Sequence, residues 1–112
     1  MKSEKKKEHY VNNKEFLAAM VEYKKLVTEA EDAGEEKPPV TNYIGECFLK
    51  IANHLSYRPN FVNYMFKDDM ICDGVENCVQ YVDNFDPNKS NNPFAYFTQI
   101  IYYAFLRRIQ KE

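Results

Sequence analysis

The 112 residues suit a single domain, and 45% hydrophobic against 29% charged residues marks a folded chain rather than a disordered one. No apolar run approaches the roughly 18 residues of a membrane span, and the charged start from Met1 to Glu8 lacks a signal peptide's apolar stretch, so the cytoplasm is expected. A net charge of -2 argues against a generic basic duplex binder, so any DNA contact has to be local or assisted by a larger partner.

Residues 1–11 are Lys/Glu-rich and read as a mobile charged arm, followed by one helical domain over 12–112. Asn12 or Asn13 can cap a first helix, with Glu15 in its first turn; Phe16, Met20, Tyr23 and Val27 form its apolar stripe and Gly34 its end. Pro38 and Pro39 lie in a connector. Thr41 or Asn42 caps a second helix with Ile44, Phe48, Ile51 and Leu55 on one face, and Pro59 stops it. After a loop over 57–64, a third helix is expected from about Met65 to Asn84, with Ile71, Val75, Cys78, Val82 and Phe85 as its core stripe. Asp86-Pro87-Asn88 reads as a turn. Asn92 caps a fourth helix that starts at Pro93 and continues to about Gln110. The fold class is therefore all-α, a compact four-helix bundle.

Tyr and Phe make up the aromatic 15% and Trp is absent, so they supply both the core and any stacking surface. The three cysteines, Cys47, Cys72 and Cys78, form no CxxC pair and are odd in number; they read as small buried hydrophobes, not a disulfide framework. His9 falls in the arm, and His54 on the second helix has no evident Cys or Asp partner in the sequence. With no Gly-rich phosphate loop and no metal-ligand spacing, an enzyme, a cofactor and a metal are not expected. Asn88-Lys89-Ser90 matches a glycosylation acceptor, a chance match in a cytoplasmic chain.

Two helical faces exceed what a core needs. On the third helix, Asp69, Asp73, Glu76, Gln80 and Asp83 follow a 4-3-4-3 rhythm opposite the apolar stripe. This row is either a solvated surface or a docking face that steers a basic partner. On the fourth helix, Phe94, Ile101, Phe105 and Ile109 group on one side and Tyr96, Gln99, Tyr103, Arg107 and Gln110 on the other. The second group is either an ordinary Tyr-rich surface or a nucleic-acid reader. Its aromatics can stack on unpaired bases, its amides can read base edges, and its Arg can reach a base or a phosphate.

The run Asp69-Met70-Ile71-Cys72-Asp73-Gly74, followed by Val82-Asp83-Asn84-Phe85-Asp86-Pro87, resembles region 2.2 of the sigma-70 family, whose members carry a D-L-I-Q-E-G run and then K-F-D/E at the same distance. The likeness continues without a gap through Ala95-Tyr96 and Ala104 to Arg107 and Ile109, corresponding to regions 2.3 and 2.4. Tyr10-Val11-Asn12-Asn13-Lys14-Glu15 and the stretch from Asn92-Pro93 to Arg108-Ile109 are similar to the late-transcription sigma factors of T-even-type phages. The resemblance spans roughly residues 10–112, regions 1.2 to 2.4, and is strongest over 69–109.

This resemblance implies a transcription initiation factor acting in the cytoplasm of a bacterial host. Region 2.2 docks on the coiled coil of the largest subunit of core RNA polymerase, which makes Asp69, Cys72, Asp73, Val75, Glu76 and Gln80 the expected polymerase contacts. Regions 2.3 and 2.4 recognise and help open the promoter -10 element, which makes Tyr96, Gln99, Ile100, Tyr103, Arg107 and Gln110 the expected DNA contacts. Tyr96 aligns with a tyrosine that stacks near a flipped adenine, and Tyr103 with a glutamine at the upstream edge of the element. Gln99 and Ile100 stand where the family has a Trp pair, and Asn91 and Pro93 where it has other aromatics. The phage factors carry a further C-terminal segment whose tail attaches to the sliding clamp; a sliding clamp and a late co-activator are expected partners of that segment, which is absent from this sequence. The missing Trp pair motivates a second reading, a polymerase-binding modulator that blocks or redirects the enzyme without opening a promoter. An unrelated helical interaction domain is the third.

Overall fold

Helix α1 (Asn13–Asp32) begins where Asn12, in extended backbone, accepts the Glu15 amide hydrogen on its side-chain oxygen at 3.0 Å. Phe16, Met20, Tyr23 and Val27 are all buried, as the spacing predicts. The helix closes with a Schellman motif: the Glu35 amide donates to the Ala30 carbonyl and the Gly34 amide to that of Glu31. Gly34 takes a φ of 70°, a left-handed conformation in which any Cβ is strained. The Tyr23 hydroxyl, deep in the core, donates to the Pro38 carbonyl at 2.7 Å and pins the connector. This computed structural model describes residues 11–111. Residues 1–10 of the expected arm lie outside that range, while Val11, read as part of the arm, is buried in the core.

Helix α2 (Asn42–Leu55) is capped by Thr41, whose hydroxyl accepts from the Ile44 amide at 3.3 Å. It buries Ile44, Cys47, Phe48, Ile51, Ala52 and Leu55. The chain leaves the helix at Ser56, ahead of Pro59, and runs through successive turns to Phe66. Phe61 projects inward from this loop and is fully buried, its ring edge-on to Phe105 at 5.2 Å and to Tyr102 at 5.7 Å.

Helix α3 is shorter than the sequence suggests. It spans Lys67–Gln80, and a separate 3-10 turn over Val82–Asn84 carries Val82 and then Phe85 into the core. Its buried face is also rotated by one residue: Met70, Gly74 and Cys78 are buried, whereas Ile71 and Val75 are half-buried on the flank. The cause is Gly74. A Cβ built there would meet Ile101 Cγ2 at 2.9 Å and Phe105 Cε1 at 3.0 Å, so α4 sits directly on the glycine. A glycine contributes nothing to an apolar stripe, yet here it marks the contact line.

Helix α4 (Pro93–Lys111) is capped by Asn92, which accepts the Ala95 amide hydrogen at 3.0 Å. Asn13 reaches across from α1: its carbonyl oxygen accepts the Phe94 amide hydrogen and its NH2 donates to Asn92, both at 3.1 Å. The buried face of α4 is Phe97, Ile101, Ala104 and Phe105. Phe94 and Ile109, expected on that face, are half-buried at its edge.

Four α-helices and no strand make up the described residues, so the chain is an all-α bundle, with α3 and α4 forming its most extensive helix pair. Phe97 is the hub, its ring 5.7 Å from Phe16, 4.8 Å from Phe48 and 5.9 Å from Phe85. Each fully buried Phe contributes about 1.5–3 kcal/mol, so this ring cluster is a main source of the core's stability. No helix of the described residues is long and apolar enough to cross a membrane.

A candidate nucleic-acid groove and a candidate docking face

The turn that follows α2 sets Arg58, Pro59 and Asn60 against one side of α4. Pro59 forbids continuation of the helix, and the buried Phe61 ties the loop down, its amide donating to the Arg58 carbonyl at 2.8 Å. The result is an open groove of about 650 Å³, floored by Leu55 and Phe94 and walled by Arg58, Asn60, Gln99, Tyr102 and Tyr103. That volume lies within the roughly 300–1,000 Å³ typical of small-molecule sites. Tyr103 is half exposed, and Tyr102 is edge-on to it at 5.7 Å. Chemically the groove offers aromatic faces, two primary amides and a guanidinium. It can stack a planar ring, read its polar edge and hold an adjacent anion.

Of the six residues expected to meet DNA, Gln99 and Tyr103 line this groove. Tyr96 does not. Its ring packs edge-on against Phe85 at 5.2 Å and Phe97 at 4.9 Å, and burial raises its hydroxyl pKa above the ordinary 10.0. Ile100 is half-buried against the core. Arg107 donates to the Asn77 side-chain oxygen at 2.8 Å and lines a smaller cleft between α3 and α4 with Asp73, Ala104 and Arg108. Gln110 is exposed near the end of the helix. Sequence periodicity missed Arg58, Asn60, Phe94 and Tyr102 as groove residues. The first two sit in a loop that has no period, Phe94 belongs by spacing to the apolar side of α4, and Tyr102 falls in neither of the two stripes.

The acidic row of α3 is divided by the fold. Asp69, Glu76 and Gln80 are exposed, together with Cys72 and the first-turn Asp68. Cys72 is thus not the buried hydrophobe its composition suggested, unlike Cys47 and Cys78. Asp73 is half-buried and accepts from Arg108 Nε, an ion pair that holds α3 to α4. Asp83 pairs with Lys37 at 2.9 Å, and its carbonyl accepts from Lys24 Nζ at 2.6 Å, so it joins α1, the connector and the 3-10 turn. Val75 is half-buried on the flank of α3. What remains outward is a row of three carboxylates, Asp68, Asp69 and Glu76, around Cys72. Among the described residues no group of three or more His, Cys, Asp or Glu side chains could hold a metal ion.

No protein-family model matches the chain, and no curated protein matches it.

Proposed function

We propose that the chain is a sigma-type initiation module: α3 docks on bacterial core RNA polymerase, and the groove beside α4 captures an unpaired base of the promoter -10 element. The single observation that carries this reading is the groove. Gln99 and Tyr103, two of the residues that the region 2 resemblance singles out for DNA, share it with Arg58, Asn60 and Tyr102. Stacking on these aromatics offsets the few kcal/mol that unstacking a base costs. The outward carboxylates of α3 lie on a different helix from the groove, so one molecule can engage polymerase and DNA together. Polymerase supplies the basic surface that a chain of net charge -2 lacks.

The test is titration of the chain into core RNA polymerase with and without a fluorescent non-template -10 oligonucleotide. Capture of the oligonucleotide by the complex, lost in Tyr103→Ala, supports the reading; absence of core binding removes it. A second reading, a modulator that binds polymerase without opening DNA, is favoured by Gln99 and Ile100 standing where the family has a Trp pair. Core binding without capture on any AT-rich strand selects it.

A further inference from the structure

The open groove beside α4 continues inward. It shares Leu55, Arg58, Phe94 and Thr98 with a second cleft of about 260 Å³, which Ile51 and His54 complete. The two spaces form one site, running from the half-exposed Tyr103 to the buried Ile51 and Leu55. The chain carries 17 Asp and Glu against 15 Lys and Arg, yet no carboxylate lines either space. The clefts beside Lys24, Cys47 and Arg107 all hold at least one: Glu29 and Asp86, Glu15 and Glu46, and Asp73. Phe94 and Ala95 belong to the first turn of α4, which has no acidic residue, so the positive end of a 19-residue helix lies at the groove. The opposite wall is the end of α2, but its last carbonyls are occupied. Those of Ala52, His54 and Leu55 accept the amides of Ser56, Tyr57 and Arg58, and that of Asn53 accepts the Ser56 hydroxyl. Arg58 and α4 therefore set the local potential, and it favours an anion. Thr98 adds an independent signal: its hydroxyl oxygen is buried and has no hydrogen-bond partner among the described residues. Such an orphan costs about 1–3 kcal/mol. Thr in a helix has two open χ1 wells, so the hydroxyl can turn onto a polar group in the cleft.

We propose that groove and cleft together bind a free small ligand, a planar aromatic ring with a terminal anionic group, of the nucleoside monophosphate class. The ring stacks on Tyr103, with its polar edge toward Asn60 and Gln99. The anion reaches Arg58 and His54, and the Thr98 hydroxyl donates to it. Because the cleft ends on Ile51 and Leu55, it takes a terminal group; an internal phosphodiester has to continue in both directions and does not fit there. The inference rests on the groove of the proposed function and adds a ligand that needs no polymerase. That ligand competes with a captured strand for Tyr103 and Arg58, which makes promoter capture sensitive to the free ligand's concentration.

The experiment titrates the chain alone with adenosine 5′-monophosphate, adenosine and inorganic phosphate, followed by NMR. The monophosphate is expected to shift His54, Thr98 and Tyr103 and to bind roughly tenfold or more tighter than either part, the worth of a charge-assisted hydrogen bond. Arg58→Gln removes the advantage over adenosine. Thr98→Val gives opposite signs: Tm rises because the orphan hydroxyl is gone, and monophosphate affinity falls. A Thr98 with a structural role alone would not separate the two. Short strands with a 5′-phosphate or a 5′-hydroxyl distinguish a free ligand from a strand end; binding of the phosphorylated strand without binding of the mononucleotide overturns the proposal. Equal affinity for adenosine and its monophosphate, or no shift at those three residues, also overturns it, and leaves strand capture by the polymerase complex as a separate question. Monophosphate binding by a chain that does not bind polymerase supports the ligand site and removes the initiation reading.

Discussion

Arg108 Nε donates to Asp73 Oδ2 at 2.5 Å, joining the last turns of α4 to the middle of α3. The pairing holds the guanidinium pKa above its ordinary value, and a hydrogen bond with Tyr64 adds to the effect. It also takes Asp73 out of the docking face and makes it a strut between the helix proposed to bind polymerase and the helix proposed to read DNA. Asp73→Asn is expected to lower Tm by a few degrees, and the double variant Asp73→Asn/Arg108→Gln by less than the sum of the two singles. A double-mutant cycle in thermal denaturation checks this; strict additivity would mean the pair contributes nothing.

Because Asp73 is a strut, steering is tested at Asp69 and Glu76. Asp69→Lys/Glu76→Lys is expected to lower Tm by a few degrees, because Asp69 lies in the first turn of α3 where a cation opposes the helix dipole, and to slow association with core RNA polymerase, roughly tenfold at low salt and progressively less as salt rises. Stopped-flow association rates at two ionic strengths measure it.

Gly74 and Gly45 make opposite predictions. Gly45 lies within α2 with nothing within 4 Å of a built Cβ, so Gly45→Ala is expected to stabilise by about 0.5–1 kcal/mol. The same change at Gly74 pushes a methyl into Ile101 and Phe105. An overpacking cost of roughly 1–3 kcal/mol exceeds the gain in helix propensity of at most about 1 kcal/mol, and the protein is destabilised. Urea denaturation of both variants reads the signs.

In the groove, Tyr103→Ala is expected to cost about 1–3 kcal/mol of single-strand binding by the polymerase complex, the worth of one stacked base. Arg58→Ala acts differently: it weakens all sequences alike and reduces the salt slope by about 0.7, as expected for one lost phosphate contact on a single strand. Equal salt slopes for native chain and Arg58→Ala would place that side chain away from the nucleic acid.

Stability is expected to fall on the alkaline side. Burial raises the thiol pKa of Cys47 and Cys78 above 9.0, and the hydroxyls of Tyr23 and Tyr96 above 10.0; Tyr43 is pushed up to about 12, chiefly by burial and then by its hydrogen bond with Cys47. A folded pKa above the unfolded one means that the unfolded chain loses protons first. The stabilisation is therefore complete below pH 9.0 and is lost as pH rises toward the folded values. Cys78 is the more deeply buried thiol and donates to the Phe97 carbonyl. Cys78→Ala should flatten the part of the decline that starts nearest pH 9.0, seen in denaturation midpoints from neutral to alkaline pH.

The helices α1 and α2 were legible because capping and period agree: Asn12 and Thr41 sit just before stripes that are buried as spaced. In α3 the signals part company. The contact runs through Gly74, and the helix ends at Gln80 where the apolar pattern continues through a 3-10 turn. Helix α4 carries aromatic residues on all sides, so its period does not separate Phe97, a core hub, from Tyr103, a surface ring. Half of the groove was visible as the stripe with Gln99 and Tyr103. The other half, Arg58 and Asn60, comes from a loop whose position depends on where Phe61 buries.

The bridge from Asn13 to Asn92 and Phe94 has a consequence for dissection of the molecule. The Phe94 amide in the opening turn of α4 borrows its acceptor from a residue 81 positions earlier, at the start of α1. The α3–α4 hairpin carries both proposed surfaces, but excising it would leave the Phe94 amide without that acceptor and Phe97 without Phe16. The smallest piece that keeps α4 intact therefore includes α1, and fragments that omit α1 should lose the start of α4 before its end.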